Sequence, residues 1–101
     1  MNNYKINESV IFVTGSAGQL GQAIVKSALE SGAKVICTDI SIDNLKKISN
    51  DNDWGENAML LQVDITNKES IEIAFNKALE KFGKVDSLVN NAGISVFEPW
   101  S

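Results

Sequence analysis

The chain has 101 residues, 44% of them hydrophobic, and a single cysteine, which suits one small globular domain and excludes an internal disulfide. The net charge is −4 and all nine basic residues are scattered lysines, so no basic cluster indicates a nucleic-acid partner. The sequence has no apolar stretch long enough to cross a membrane and no N-terminal secretion signal, so we expect a cytoplasmic protein.

Short apolar runs alternate along the chain with longer amphipathic segments. The apolar runs predict buried strands, and apolar residues at helical spacing predict helices. Gly32 and Gly83 follow the first and third helices, where left-handed caps are expected. The predicted elements are strand 10–13, helix 18–31, strand 34–38, helix 42–49, strand 58–63, a helix after Thr66 that ends at Gly83, and strand 85–89.

Local signals predict several details within this pattern. Ser41 is a candidate cap for the second helix, and Thr66 with Glu69 matches a capping box for the third. Residues 50–57 are polar and predict a loop, whereas Cys37 lies in an apolar run and predicts a buried thiol.

The order strand–helix–strand, repeated along the chain, predicts an α/β fold. We expect a Rossmann-like, doubly wound sheet of four parallel strands in spatial order 3-2-1-4, with helices on both faces. We treat residues 1–101 as one domain. Because ligands bind at the carboxyl ends of the strands in such sheets, the residues that follow each strand are the candidate site.

The turn after the first strand has the pattern of a phosphate-binding loop. Residues 14–21 read Thr-Gly-Ser-Ala-Gly-Gln-Leu-Gly between an apolar run and an amphipathic helix. Such a turn presents backbone N–H groups and the positive end of the helix dipole to an anion. The chain has no arginine to clamp a phosphate, so binding would rely on these N–H groups. A P-loop phosphotransferase is excluded, since no Gly-Lys-Ser/Thr follows the turn.

Acidic and amide residues follow the other three strands. Asp39 comes 18 residues after Gly21, close to the spacing of the acid that hydrogen-bonds an adenosine ribose. Its charge would repel a 2′-phosphate, and no neighbouring residue offsets that charge, so we expect NAD rather than NADP. For Asp39, and for Asp64, Asn90 and Asn91 after the later strands, a purely local role in turns or helix caps is the alternative.

Taken together, these motifs resemble the N-terminal half of the short-chain dehydrogenase/reductase family, over about residues 8–97. Family members bind NAD or NADP and transfer hydride between the nicotinamide and an alcohol or carbonyl carbon. The resemblance implies that Asp39 contacts the adenosine ribose, that Asp64 bonds the adenine amino group and that Asn90 braces the sheet. The residues that it implies for the cofactor site are Thr14, Gly15, Ser16, Gly18, Gln19, Leu20, Gly21, Asp39, Ile40, Asp64, Ile65, Asn91, Ala92 and Gly93.

Two departures from the family pattern affect the function. Gly18 gives the glycine spacing of the extended subclass, whereas the common subclass has that glycine at the position of Gln19. The family's catalytic serine and Tyr-x-x-x-Lys pair have no counterpart up to Ser101, and the only tyrosine, Tyr4, precedes the first strand. We therefore assign no catalytic residue and no metal site, and we expect little turnover from this chain alone.

The expected function is that of a cofactor-binding fragment of an NAD-dependent oxidoreductase, whose full-length form acts on a small alcohol or carbonyl compound. The alternatives are a non-catalytic dinucleotide-binding module and a fragment of a sugar-nucleotide epimerase or dehydratase. We also expect an exposed edge at the fourth strand, which would favour homo-oligomers.

Overall fold

The computed structural model describes residues 9–91. Strands and helices alternate, and the four strands form one parallel sheet in the order β3-β2-β1-β4, which confirms the predicted fold. The elements are β1 (Val10–Val13), α1 (Gln19–Glu30), β2 (Lys34–Asp39), α2 (Ile42–Asn52), β3 (Ala58–Gln62), α3 (Lys68–Phe82) and β4 (Ser87–Val89).

Each face of the sheet carries its own hydrophobic core, because successive side chains of a strand point to opposite faces. Val13 belongs to the core that includes residues of α1 and α2, and Phe12 to the core that includes residues of α3. The Phe12 ring stacks on Phe75 of α3, with centroids 4.4 Å apart and planes at 8°. Cys37 is fully buried, as predicted, and burial raises the pKa of its thiol to about 12.

Strand β4 begins later than predicted because a side chain makes the first contact with β1. The Val10 N–H donates to Asp86 Oδ2 at 2.8 Å, while the Asp86 N–H donates to the Val10 carbonyl at 2.8 Å. Lys84 Nζ lies 3.2 Å from the same carboxylate oxygen. Because the Asp86 carboxylate takes the place of a backbone acceptor, regular strand pairing starts only at Ser87.

The predicted cap of α2 is confirmed, and the predicted capping box of α3 is wrong. Ser41 Oγ accepts from the Asn44 N–H at 3.2 Å. In front of α3, the Asp64 carboxylate binds both the N–H and the hydroxyl of Thr66, at 2.9 and 2.6 Å. These bonds hold Thr66 in the turn, so the helix starts one residue later and Asn67 caps it through the Ser70 N–H.

Helix α2 extends to Asn52 and ends at Asp53, which has a left-handed backbone (φ 54°). The next residue, Trp54, is only 8% exposed and joins the core beside α1 and α2. The sequence predicted a polar loop here, because one aromatic residue in a polar segment creates no periodicity. The predicted left-handed glycines after α1 and α3 are confirmed, with φ of 90° at Gly32 and 81° at Gly83. Within residues 9–91, no helix is both long and apolar enough to span a membrane.

We predict that Asp86→Asn destabilises the chain at neutral pH and that this loss shrinks in acid. The Val10 N–H, with Lys84 as a smaller contributor, holds the pKa of the Asp86 carboxyl below its ordinary value of about 3.9. A lowered pKa means that the stabilisation is present above the ordinary value and is lost as the pH falls through the folded-state pKa.

The measurement is urea unfolding of the wild-type chain and Asp86→Asn at neutral pH and at about pH 3. Glu72→Gln, at an exposed carboxylate of α3, is the control for removal of one negative charge. A gap between wild type and Asp86→Asn that stays constant with pH would contradict the prediction.

Candidate functional site

The carboxyl ends of the strands meet at one edge of the sheet, where the chain order reverses on either side of β1. Open α/β sheets bind their ligands in the crevice at such a switch point. A cleft of about 250 Å³ opens at this edge, beside the ends of β2 and β3. It is lined by Gly15, Thr38, Asp39, Ile40, Val63, Asp64 and Ile65.

The turn between β1 and α1 is built around the carbonyl oxygen of Gly15. This residue has a φ of 65°, and its oxygen accepts from the Gly18 N–H at 3.1 Å and from Asn91 Nδ2 at 3.2 Å. A Cβ on Gly21 would lie 2.0 Å from the same oxygen, far inside contact distance. Helix α1 can therefore pack over the turn only with glycine at position 21.

Ser16 fixes the turn to strands β1 and β2. Its N–H donates to the Thr38 carbonyl at 2.9 Å, and its hydroxyl donates to the Val13 carbonyl at 3.0 Å. The Thr38 N–H donates back to the same hydroxyl oxygen at 3.2 Å. The resemblance implies that Ser16 contacts the cofactor, and this stays a prediction; in the described fold Ser16 is 0% exposed and its hydroxyl bonds β1 and β2.

The N-terminus of α1 has no side-chain cap. Gly18, its N-cap residue, has an extended backbone (φ −75°, ψ 166°), whereas Ser41 and Asn67 cap the other two described helices. A Cβ on Gly18 would meet only the Gly15 oxygen, at an ordinary 3.5 Å. Neither the backbone nor the space for a Cβ requires glycine here, and no side chain of the described residues caps this helix start, which suits an anion. Gln19 is exposed beside them.

Asp39 places its carboxylate between the turn and α2. Oδ2 accepts from the Ala17 N–H at 3.0 Å, and Oδ1 accepts from the Ser41 N–H at 3.2 Å. The local role considered as the alternative is therefore present, since Ser41 caps α2. A carboxylate has about four lone-pair sites, so Asp39 can accept further donors without losing these bonds. Ile40 beside it, and Leu20 in α1, are 59% and 64% exposed apolar side chains.

Asp64 follows β3 and is already oriented by its own turn. The Thr66 hydroxyl, and then the Thr66 N–H, hold the pKa of the Asp64 carboxyl below its ordinary value. The group is therefore ionised at neutral pH and acts only as an acceptor. Both Thr66 bonds go to Oδ1, which leaves Oδ2 for a donor in the cleft, where Ile65 provides apolar surface.

The two asparagines after β4 both bind the β1–α1 turn. Thr14 Oγ1 donates to Asn90 Oδ1 at 3.1 Å, and the Thr14 N–H donates to the Val89 carbonyl at 3.0 Å. Asn91 Nδ2 donates to the Gly15 carbonyl. These bonds join the last described strand to the turn. The predicted cofactor contacts of Ala92 and Gly93 lie outside the described residues.

Two residues that shape the turn were not predicted from the sequence. Thr38 Oγ1 donates to the Val13 carbonyl at 2.8 Å, and Gln22 Nε2 donates to the Ala17 carbonyl at 2.8 Å. Thr38 lies in an otherwise apolar strand and Gln22 on the polar side of a helix. Neither position has a sequence signal that distinguishes a functional contact from an ordinary one.

A wider groove of about 450 Å³ lies between α1 and the C-terminal end of α2. None of its lining residues follows the carboxyl end of a strand, and Lys26 and Glu30 within it are exposed charges of opposite sign. We therefore place the site at the strand ends. Within residues 9–91, no group of three His, Cys, Asp or Glu side chains could hold a metal ion.

The helix α1 starts without a side-chain cap, next to a strand that ends in an aspartate, and both lie at the switch point of a parallel sheet. This combination is typical of nucleotide-binding Rossmann-like folds. A profile of the family described as short chain dehydrogenase matches residues 9–101. The chain belongs to the short-chain dehydrogenase/reductase family.

The proteins to which the chain is similar include dehydrogenases and reductases. The chain is 37% identical over 97 residues to a CLA biosynthesis dehydrogenase/reductase of Lactiplantibacillus plantarum, covering 95% of this chain and 33% of the relative. It is 32% identical over 98 residues to the bovine 15-hydroxyprostaglandin dehydrogenase [NAD(+)], covering 94% of this chain and 37% of that enzyme. The chain thus spans about a third of the length of these relatives.

Solved structures give the same family. A 3-ketoacyl-(acyl-carrier-protein) reductase from Brucella melitensis, complexed with NADH, matches with a TM-score of 0.73 and 30% identity, covering 79% of this chain and 32% of that one. A hydroxysteroid dehydrogenase from Escherichia coli matches with a TM-score of 0.77 and 27% identity, covering 89% and 39%.

We predict that Gly21→Ala costs about 1–3 kcal/mol of stability or more, because the added methyl would overlap the Gly15 carbonyl. Gly18→Ala should change stability by less than about 1 kcal/mol, since a weaker cap is offset by a less flexible unfolded chain. Urea unfolding of both variants measures the difference. Equal losses at the two positions would show that the contact at Gly21 does not constrain the turn.

Proposed function

We propose that the chain binds NAD in the cleft at the strand ends and is the cofactor-binding part of an oxidoreductase. The observation that carries this proposal is Gly18. Its extended backbone is open to residues other than glycine, and a Cβ there would meet only the Gly15 oxygen at an ordinary 3.5 Å, so neither backbone strain nor contact at the Cβ requires glycine within the described fold. A pyrophosphate that approaches the uncapped start of α1 supplies the reason, because it needs the space that a side chain would fill.

The residues around the cleft fit the other end of the cofactor. The Asp39 carboxylate can accept ribose hydroxyls, Asp64 Oδ2 can accept the adenine amino group, and Ile65 offers an apolar surface to the base. A 2′-phosphate beside Asp39 would meet a negative charge, and its neighbours Ser16, Ala17, Ile40 and Ser41 carry no positive one. This favours NAD over NADP, and the NAD(+) and NADH in the names of two similar proteins support that choice.

Bound NAD would accept or donate a hydride at its nicotinamide, and the described residues would hold the adenosine and pyrophosphate. The acid/base toward the substrate oxygen would be the tyrosine of a Tyr-x-x-x-Lys pair of the kind that the family carries. We further infer an alcohol or carbonyl substrate and a cytoplasmic location. The alternative of a sugar-nucleotide epimerase or dehydratase rests on the spacing of Gly18 alone and is not favoured by the dehydrogenases and reductases to which the chain is similar.

The oxidoreductase part of the proposal is tested by the reading frame that encodes the chain. We expect an in-frame continuation after the codon for Ser101 that contains Tyr-x-x-x-Lys. The polypeptide with that continuation should form NADH from NAD and a secondary alcohol. A stop codon at that point would instead support a non-catalytic NAD-binding module.

We predict that Gly18→Ser weakens NAD binding at least tenfold while leaving the chain as stable or slightly more stable. The serine hydroxyl would cap α1, which contributes a few tenths of a kcal/mol relative to glycine, but it would occupy the space and the donors proposed for the pyrophosphate. Titration calorimetry with NAD and urea unfolding give the two readouts. Unchanged NAD affinity would remove the main support for the site.

We predict that the wild-type chain binds NAD at least tenfold more tightly than NADP, a difference of about 1.4 kcal/mol or more. In Asp39→Arg the ratio should move toward NADP by tenfold or more, because the repulsive charge is replaced by a phosphate-binding guanidinium. Asp43→Arg, an equal charge change at an exposed residue in the first turn of α2, is the matched control. The same shift in both variants would contradict a specific role for Asp39.

A further inference from the structure

The backbone of Ala17 is held on both sides of its Cα by side chains. Its N–H, in the Ser16–Ala17 peptide, donates to Asp39 Oδ2 at 3.0 Å. Its carbonyl, in the Ala17–Gly18 peptide, accepts from Gln22 Nε2 at 2.8 Å. One partner lies 22 residues away at the end of β2, and the other lies five residues away in α1. The Ala17 backbone thus connects the strand end proposed to bind ribose with the helix proposed to bind pyrophosphate.

The remaining peptides of the turn are also fixed within the described residues. The Gly15 carbonyl has two donors, and Ser16 is bonded to both β1 and β2. Ala17 is the last residue before the open N-cap at Gly18. Its orientation therefore decides where the uncapped first turn of α1 points, and Gln22 and Asp39 are the side chains that hold it.

We propose that Gln22 is a positioning residue that, with Asp39, clamps the backbone on both sides of the Ala17 Cα and so orients the turn proposed to bind pyrophosphate before the nucleotide arrives. This inference rests on the proposed function. A turn ordered in advance spares the ligand the entropy cost of ordering it. Asp39 then has two roles, because the carboxylate that would accept ribose hydroxyls also sets the shape of the turn through a charge-assisted bond.

The clamp predicts a specific effect of Gln22→Met, which keeps the length of the side chain and removes the donor. The freed Ala17 carbonyl would let the Ala17–Gly18 peptide rotate, which would shift the Ala17 Cα and loosen the neighbouring bond from the Ala17 N–H to Asp39. We expect about three- to tenfold faster amide exchange at Ala17 without any nucleotide, and a similar weakening of ADP binding. Binding of adenosine, which lacks phosphates, should change less than twofold.

Lys26→Met, an exposed position one turn further along α1, is the matched control for methionine on this helix. It should leave Ala17 exchange and ADP binding unchanged, and both variants should match the wild type in urea unfolding. A double-mutant cycle of Gln22→Met with Asp39→Asn adds a second test, because side chains that hold the two sides of one residue's backbone should have non-additive effects on ADP binding.

The outcomes separate the clamp from the proposed function. If the wild-type chain binds neither ADP nor NAD, the proposed function is wrong. Amide exchange at Ala17 still tests the clamp in that case. If Gln22→Met has the same amide exchange at Ala17 and the same ADP affinity as Lys26→Met, the proposed clamp is wrong. An equal loss for adenosine and ADP, or strictly additive effects in the cycle, would also count against it.

Discussion

The close approach of helix α1 to the Gly15 carbonyl is the contact on which the site depends. A Cβ at Gly21 would lie 2.0 Å from that oxygen, so the helix start and the turn form one compact unit only because no side chain intervenes. The same oxygen receives the Gly18 N–H and the Asn91 amide. Its position fixes the direction of the uncapped first turn, which is the feature of the sheet edge best suited to an anion.

Glycine occurs at the three positions of this turn for different physical reasons, and a sequence pattern does not distinguish between these reasons. Gly15 needs its positive φ, and Gly21 needs the absence of a side chain. Gly18 needs neither within the described fold. The spacing of Gly18 resembles that of the extended subclass, whereas the chain is similar to dehydrogenases and reductases.

Much of the fold could be predicted because its signals are local and repetitive. Apolar runs predicted the four strands. Their alternation with amphipathic segments predicted that the strands are parallel and predicted their spatial order, and the structure confirms both. The errors lie where a side chain competes with a backbone group. Asp64 binds Thr66 and moves the cap of α3 to Asn67, and Asp86 replaces a backbone acceptor and delays β4.

The site could be located from the sequence, but not its internal bonds. The carboxyl ends of parallel strands must meet, so the placement of Asp39 and Asp64 followed from the strand order. The burial of Ser16 and the bond from Gln22 to Ala17 depend on side-chain directions within one turn, and hydrophobic periodicity carries no information about them.

The bonds from Asn90 and Asn91 have a consequence for the order in which the molecule forms. They join residues 76 positions apart, as does the bond between Val10 and Asp86, so they close the longest loops among the described hydrogen bonds. Contacts of such separation carry a large loop-closure cost and form slowly. During synthesis on the ribosome, the turn at residues 14–21 is made early, yet it lacks these partners until residue 91 has emerged. The turn between β1 and α1 is thus completed by the last strand described, and its integrity reports that β4 has docked.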